Sequence, residues 1–462
     1  MTVSQSVALG ETPARPREFL GHPIGLTVLF STEMWERFSY YGMRAILILY
    51  LTNFLLLQPV AGSVAGYGAI KGLFESFTGP LNVQQFASMI YGTYTGLVYF
   101  TPFVGGIIAD RWLGQRYTVI VGAIMMAAAE FTLMVPQLFF LGLLLLIVGN
   151  GFFKPNISTQ VGSLYAPNDS RIDRAYSIFY VGINVGAFFS PLVAGTLAED
   201  VGYHWGFFSA GVGMLGGMLI YLFGLKTLPA DRVARLKAHT ETKKPMDAQD
   251  WKAVTALILL CIPTTFFWAI YEQQGNTISL WAQDFTDRRL IPGIIDWQIP
   301  VTWFQAFNPF LIVALTPLIV TLWASQNRKG REPSTVTKMA IGFFLLAASY
   351  IVMAIAANVS PGGHASWLWL LGFFTVITLG ELYLSPIGLA LVARVAPAQI
   401  LSMMMGLWLA TSFTGNLIQG YIGTYFSVMD KVDFFLLCAG IGAAAGVVTW
   451  AFNYPLKPIL KE

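Results

Sequence analysis

Long apolar stretches recur along nearly the whole chain and are separated by short polar connections. An apolar run of about 20 residues is long enough to cross a bilayer as a helix, and longer runs indicate tilt or extension beyond it. The pattern predicts twelve spans, at 22–56, 84–109, 117–136, 138–164, 173–198, 204–226, 251–281, 301–325, 335–357, 366–396, 400–428 and 432–454. We therefore predict an all-α membrane protein.

Composition supports this class. Of the 462 residues 55% are hydrophobic and only 11% are charged, whereas soluble domains carry about 25% charged residues. The formal net charge of +3 is small, so we expect no nucleic-acid partner. The first 21 residues are polar and lack the short apolar core of a removable signal peptide, so the first span is expected to direct insertion.

The basic residues predict the orientation. Lys and Arg concentrate in alternate connections, and this bias marks cytoplasmic loops. Both termini are then cytoplasmic, which requires an even number of spans. The short loops favour a multi-pass protein of the bacterial inner membrane, and a eukaryotic plasma membrane is the alternative. The basic positions are Arg111, Arg116, Arg171, Arg174, Arg232, Arg235, Lys237, Lys243, Lys244, Arg328, Lys329, Arg331, Arg394, Lys457 and Lys461.

The most polar connection divides the spans six and six. We predict a cytoplasmic segment 1–21, a bundle 22–226, a cytoplasmic linker 227–250, a second bundle 251–455 and a cytoplasmic tail 456–462. Two six-helix halves around a midplane site are the architecture of a transporter whose halves rock to expose the site alternately.

The first span contains an unusual polar cluster. Glu33, Glu36, Arg37, Tyr40 and Tyr41 have the spacing i, i+3, i+4, i+7 and i+8, so they share one helix face. Each charge at bilayer depth costs about 2.5–3.5 kcal/mol or more, and such groups usually face a bundle interior or a water-filled path. A purely structural salt bridge between two helices is the alternative.

A glycine-rich segment ends the second span. Gly105–Arg116 contains Asp110 and Arg111, and an aspartate beside arginines at helix ends could cap a helix and latch one conformation. The segment resembles the loop between helices two and three of the major facilitator superfamily. The alternative is a turn that only sets topology.

Further motifs resemble the proton-dependent oligopeptide transporter family, also called POT or PTR, in that superfamily. They are Glu33-x-x-Glu36-Arg37-Phe38-x-Tyr40-Tyr41-Gly42, Phe153-Lys154-Pro155-Asn156, the run from Tyr176 to Ala187, and Gly380-Glu381-Leu382-Tyr383-Leu384-Ser385-Pro386. Many bacterial members carry two extra helices between the halves, for which this linker is too short and polar. The resemblance implies the twelve-helix form.

The resemblance also implies a binding site for a zwitterionic peptide. Arg37 and Lys154 would face the peptide carboxylate, and Glu381 with Asn184 and Asn308 would face the amino group. The space between would be lined by Tyr40, Tyr41, Tyr99, Trp408 and Ser412. From the residues alone, Lys154 and Glu381 are intramembrane charges that need partners and could pair across the halves. Interface anchoring is the alternative role for each aromatic residue.

Proton coupling needs a group that can change its protonation state. The four histidines, His22, His204, His239 and His364, fall at span ends or in loops, so carboxylates must carry the proton. Glu33 and Glu36 are the first candidates, and Glu272, which could reach Arg37, is the second. Protonation of Glu36 would release Lys154 or Arg37 to bind the substrate carboxylate.

Two other intramembrane charges have weaker interpretations. Arg44 lies on the face of Glu33 and would neutralise that cluster or approach a membrane surface. Glu130 is interpreted as structural.

The leading prediction is a symporter that imports di- and tripeptides with protons. The alternative is a transporter of the same fold for another solute, such as nitrate. An enzyme or receptor is disfavoured because no phosphate-binding loop, nucleophile or metal-ligand motif occurs. We predict no catalytic residue, no metal and no cofactor besides the proton. The expected partners are peptides, protons and the lipid bilayer, and the expected functional unit is a monomer.

Overall fold

The computed structural model describes residues 18–166, 169–229, 246–360, 363–397, 399–456 and 459. Within these residues, twelve helices are 19 to 28 residues long and we number them in chain order. They are α1 Ile24–Tyr50, α2 Val83–Ile108, α3 Gln115–Leu133, α4 Phe139–Ser163, α5 Ile172–Thr196, α6 Tyr203–Gly224, α7 Ala248–Tyr271, α8 Phe307–Arg328, α9 Thr335–Val359, α10 Leu368–Val395, α11 Leu401–Gly423 and α12 Lys431–Leu456.

Each predicted span coincides with one of these helices, and the predicted all-α membrane architecture is confirmed. Over the described part of the chain, nine of the twelve helices are apolar and long enough to cross a membrane by length and composition. The other three are α1, α2 and α11. The predicted terminal segments 1–21 and 456–462 and the linker 227–250 lie largely outside the described residues.

The structure adds elements that the hydropathy pattern does not predict. The connection between α1 and α2 contains two short helices, Val60–Ser63 and Tyr67–Thr78. The seventh span is not one helix: α7 ends at Tyr271, a 3₁₀ turn follows at Glu272–Gly275, and a second helix runs over Thr277–Asp284. The break falls at the carboxylate that the sequence marks as a coupling candidate.

Local sequence explains where several helices begin. At α2 the Asn82 side chain accepts from the Gln85 N–H at 2.9 Å, and the Gln85 side chain accepts from the Asn82 N–H at 3.0 Å. Asp247 and Asp250 make the same reciprocal box at α7. These boxes satisfy N–H groups that the first helical turn leaves without partners.

The helices pack as two groups. In the first half α1 packs on α5 and α6, and α3 packs on α4 and α6. In the second half α9 packs on α10 and α12, and α7 packs on α11 and α12. Large apolar side chains cover much of the outside, as a bilayer requires; examples are Phe103, Phe223, Leu318 and Trp450.

We call the end of the molecule where Thr227 and Asp247 lie the linker end and the opposite end the far end. The far end carries the strands β3 Thr286–Asp287, β4 Arg289–Ile291, β5 Ile295–Gln298 and β6 Ala365–Ser366. Strand β3 pairs with β6 in parallel, and β4 with β5 antiparallel. Strands β1 Glu18–Phe19 and β2 His22–Pro23 form an antiparallel pair before α1.

The two halves meet closely between the middle of the molecule and the far end. The Ser88 hydroxyl donates to the Asn276 side chain at 3.0 Å, and Gln84 donates to the Gly423 carbonyl at 3.0 Å. A Cβ atom at Gly92 would lie 2.5 Å from the Gly420 Cα atom, so two backbones are in direct contact here. No hydrogen bond between described residues joins the halves at the linker end. The structure is therefore closed at the far end.

Candidate functional site

A cavity of about 320 Å³ lies between the two halves. Its walls come from α1, α2, α4 and α5 on one side and from the broken seventh span, α8, α10 and α11 on the other. Eight of the ten predicted substrate residues line it: Tyr41, Tyr99, Lys154, Asn184, Asn308, Glu381, Trp408 and Ser412. Arg37 and Tyr40 lie outside that lining.

The first half contributes a cation to the cavity. The Lys154 ammonium lies 5.2 Å from the centroid of the Tyr99 ring, within the range of a cation–π contact. Among the described residues, no carboxylate approaches the Lys154 ammonium within 4.0 Å. The predicted pair between Lys154 and Glu381 is therefore not formed in this structure. An intramembrane cation without an anion at contact distance is suited to receive one from a ligand.

The second half contributes a carboxylate. Glu381 on α10 accepts a hydrogen bond from the Tyr271 hydroxyl at 2.5 Å and another from the Asn308 amide at 3.0 Å. Asn308 also donates to the Thr378 hydroxyl at 3.0 Å. These bonds fix the orientation of the carboxylate and stabilise its charge. Asn184, on the opposite wall, donates instead to the Tyr180 carbonyl of its own helix at 2.9 Å.

An ion pair bounds the cavity on its far-end side. Arg44 of α1 donates to Glu272 at the break of the seventh span, and the same guanidinium donates to the Tyr91 hydroxyl at 2.9 Å. The expectation that Glu272 pairs with Arg37 is therefore wrong, and so is the interpretation of Arg44 as a neutraliser of Glu33. Arg44 lies two turns beyond Arg37 along α1, at the depth where the seventh span breaks.

The broken span is stabilised by side chains. Gln305 donates to the Gln274 carbonyl at 3.2 Å and to the Ser279 hydroxyl at 2.6 Å. Gln273 donates to the Gln419 carbonyl at 2.9 Å. Backbone groups freed inside a membrane protein need such partners. The break consequently holds Glu272 at the boundary between the halves.

A second charged cluster lies behind the cavity wall in the first half. Arg37 donates to both carboxylate oxygens of Glu36, and its Nε atom lies 3.2 Å from a Glu33 oxygen. Asn150, one turn before Lys154 on α4, donates to Glu36 at 3.4 Å. Glu33, Glu36 and Arg37 are all buried. The predicted gathering of these charges on one face of α1 is what the structure has, with Lys154 on the adjacent helix.

Arg37 and Tyr40 face this cluster rather than the cavity. The Arg37 guanidinium carbon lies 5.2 Å from the centroid of the Tyr40 ring, and the guanidinium is occupied by the two carboxylates. In this conformation the Nε and Nη2 atoms of Arg37 bind these carboxylates and are not free for a substrate carboxylate. Its contact with substrate stays a prediction for a state in which the carboxylates are protonated.

The predicted latch residues lie at the linker end. Asp110 and Arg111 belong to a π-helical turn, Ala109–Leu113, that extends α2, and both are exposed. In the described ranges neither forms an ion pair within 4.0 Å. A latch would have to form in a conformation that is closed at this end, and it stays a prediction.

Sequence reasoning missed several side chains of the cavity. Arg44, Tyr180, Trp268, Tyr271 and Gln305 all line it. Tyr271 directly precedes the coupling candidate Glu272, and Tyr180 lies in the motif from Tyr176 to Ala187, so the sequence offered a reason to consider both. The sequence offered no such reason for Gln305, because it bonds to a helix break that the hydropathy pattern does not reveal. Over the described positions, no group of three or more His, Cys, Asp or Glu residues could hold a metal ion.

Comparison with known proteins gives the family. The model of the POT family matches residues 117–233 and 229–443. The peptide transporter YePEPT of Yersinia enterocolitica subsp. palearctica is 33% identical, and the alignment covers 90% of each chain. A di-/tripeptide transporter of Lactococcus lactis subsp. cremoris is 32% identical, over 96% of this chain and 97% of that protein.

Solved structures agree. A crystal structure of peptide transporter POT in complex with sulfate superposes with a TM-score of 0.83 at 28% identity, covering 97% of this chain and 98% of that one. A mutant of that transporter in complex with alafosfalin also gives 0.83, at 29% identity and with 96% and 97% coverage. Members of this family are transporters and not enzymes. The chain described here belongs to the POT family.

Proposed function

We propose that this protein is a proton-coupled symporter that imports di- and tripeptides by alternating access. The observation that carries the proposal is a cavity between two halves with a cation, Lys154, on one wall and a carboxylate, Glu381, on the other. The relatives described as di-/tripeptide transporters support a peptide substrate and give no support to the nitrate alternative.

A peptide is a zwitterion whose two ends are separated by a nearly fixed backbone length. A site that accepts many sequences should bind those ends and leave the side chains unrestrained. Lys154 would receive the carboxylate, and Glu381, oriented by Tyr271 and Asn308, would receive the amino group. Tyr41, Tyr99 and Trp408 give the space between an apolar surface with polar edges. Ser412 and Asn184 add polar groups to the same walls.

Coupling to protons would use the carboxylates beside the cavity. Protonation of Glu272 would remove its attraction for Arg44 and weaken the contact that closes the far end. Protonation of Glu33 or Glu36 would release Arg37 from that carboxylate. The positive charges of Arg37 and Lys154 would then both be available to attract a substrate carboxylate. In the first step, protonation alters the contact between the halves. In the second step, it alters the affinity of the cavity for the substrate carboxylate.

The remaining expectations belong to this proposal. The positive-inside bias puts the linker end and both termini in the cytoplasm, so the far end faces outward. The halves would be 22–226 and 251–455, with the linker 227–250 between them. We propose a multi-pass protein of the bacterial inner membrane that functions as a monomer and needs no cofactor besides the proton.

The test is uptake of labelled dialanine into proteoliposomes under an imposed inward proton gradient. Lys154→Ala and Glu36→Gln should abolish uphill accumulation. The matched controls are Lys71→Ala and Glu75→Gln, which break a surface ion pair of 3.6 Å outside the cavity and should retain it. Full gradient-driven uptake by Glu36→Gln would refute its assignment. No accumulation by a folded wild-type protein would refute dialanine as a substrate.

A further inference from the structure

Glu199 joins the two halves at the far end by several bonds at once. It lies in a π-helical turn, Leu197–Val201, that continues α5. Its carboxylate accepts hydrogen bonds from the Val301 N–H at 2.8 Å, the Thr302 N–H at 2.9 Å and the Thr302 hydroxyl at 2.7 Å. A side chain of the first half thus binds the start of a helix in the second half.

That helix start has no cap of its own. Residues 301–328 form one continuous helical segment, which begins with the 3₁₀ turn Val301–Ala306 and continues as α8. The residue before it is Pro300, which makes no side-chain cap, and its first turn contains no acidic residue. The first N–H groups of a helix need partners, and a carboxylate also suits the positive end of the helix dipole. Glu199 supplies both from the other half.

The surroundings hold this contact in place. The Trp303 indole donates to the Thr196 hydroxyl at 2.8 Å, one turn before Glu199. An Arg288 nitrogen lies 3.8 Å from the Glu199 carboxylate. A Cβ atom at Gly195 would lie 1.9 Å from the Thr302 hydroxyl, so α5 leaves no room for a side chain there. The contact is tight and the carboxylate is four-fifths covered.

The capped segment also reaches the cavity. Asn308 follows Thr302 by six residues on the same helix and donates to Glu381 at 3.0 Å. We propose that Glu199 is a positioning residue of the transport cycle: its cap holds this helix in the far-end-closed state and thereby sets Asn308 against Glu381. Opening of the far end withdraws the cap, so closure and assembly of the amine end of the cavity are one event. This inference rests on the proposed transport function for its kinetic part only.

The conformational test needs no substrate. Spin labels at Val135 and Val428, which are 43% and 64% exposed at the far ends of the two halves, report the distance across that end. The native Cys261 and Cys438 are buried, which directs a thiol label to the introduced sites. In Glu199→Ala the far-end distances should move to longer values, because the ratio of closed to open molecules should fall about tenfold for each charge-assisted hydrogen bond removed.

The matched control lies in the same turn. Asp200 is exposed, so Asp200→Ala should leave the distances unchanged. Thr302→Val removes one bond at constant volume and should give a smaller shift in the same direction, which keeps the test usable if Glu199→Ala does not fold. Glu199→Gln keeps one acceptor oxygen and should be intermediate. Unchanged distances in both Glu199→Ala and Thr302→Val would overturn the proposal, as would an equal shift in Asp200→Ala.

Transport kinetics separate positioning from a general loss of stability. In counterflow of dialanine, Glu199→Ala should raise KM several-fold, because Asn308 is no longer held against Glu381, while the thermal unfolding temperature stays near that of Asp200→Ala. A lower rate with unchanged KM would refute the link to the cavity. A wild-type protein that transports no peptide would refute the proposed function and leave the distance test intact.

Discussion

Replacing Glu272 by glutamine should separate proton coupling from peptide movement. The substitution keeps shape and one acceptor oxygen but removes the charge that faces Arg44. Both side chains are almost fully covered, so the remaining guanidinium stays buried beside the Tyr91 hydroxyl without an anion. Glutamine also imitates the protonated acid, which places the variant permanently in one state of the proposed coupling step.

The size of the effect follows from the burial. Two unit charges about 3 Å apart attract by about 5 kcal/mol at an effective dielectric constant of 20. Desolvation offsets much of this, and removing one partner of a buried pair typically costs about 3–5 kcal/mol. The retained acceptor oxygen places the loss near 3 kcal/mol, or roughly 100-fold in the equilibrium between the far-end-closed and far-end-open states.

The assay compares two modes in the same proteoliposomes. A pH difference of one unit corresponds to about 1.4 kcal/mol per proton, or about tenfold accumulation. Glu272→Gln should lose this accumulation and retain counterflow, in which peptide exchanges without net proton movement. Glu75→Gln, in a partly exposed pair outside the cavity, should keep both modes. Undiminished gradient-driven accumulation by Glu272→Gln would show that the pair with Arg44 does not carry the coupling.

Three further outcomes are expected. Glu130 is buried and, among the described residues, accepts a hydrogen bond only from a serine of α1. In thermal unfolding, Glu130→Gln should therefore change the free energy of unfolding by less than about 1 kcal/mol, and Glu130→Ala should lower it by about 2–4 kcal/mol. An equal decrease in both variants would mean that the charge of Glu130 stabilises the fold. Gly92→Ala places a methyl group 2.5 Å from the Gly420 Cα atom, so it should slow uptake and lengthen the far-end label distance, and a normal distance would contradict the close approach. Hydrogen bonds from Arg289 hold the pKa of Asp287 at about 2. The ionised carboxylate therefore stabilises the loop at any pH above about 4, and this stabilisation is lost only as the pH falls toward 2. Asp287→Asn should speed hydrogen exchange in 286–298, relative to the wild type, by the same factor at pH 5.5 and at pH 7.5.

The fold was predictable because its main signals are local. Each span is a run of apolar residues, so twelve predicted spans coincide with twelve helices. The break in the seventh span was not predictable from hydropathy, because its Gln-Gln-Gly sequence lies in an apolar run and is stabilised by Gln305 from a distant segment. The short helices before α2 are 4 and 12 residues long, which is below the length at which an apolar run predicts a membrane span.

Most of the substrate residues that the sequence predicted line the cavity, but the sequence did not predict which charged groups pair with one another. Charged residues inside apolar spans identified Lys154, Glu381 and Glu272, since such residues are costly wherever they lie. Which charges meet depends on how helices that are far apart in sequence contact one another. Arg44 and Glu272 are separated by 228 positions, and no periodicity within either span indicates that contact. For the same reason, the sequence did not indicate that Arg37 pairs with Glu33 and Glu36 of its own helix rather than with Glu272.

Several bonds between the halves at the far end join a side chain of the first half to a backbone atom of the second half. Gln84 and Gln85 donate to the backbone carbonyls of Gly423 and Thr424, and Glu199 accepts from two backbone N–H groups. A backbone atom is present whatever side chain its residue carries. In a saturation mutagenesis screen for growth on peptides, the glutamines and the glutamate should tolerate few replacements, while the buried position 424 should accept residues of similar size, because only its backbone carbonyl takes part in the bond. These particular bonds therefore depend on the side chains of Gln84, Gln85 and Glu199 in the first half, but only on the backbone of their partners in the second half.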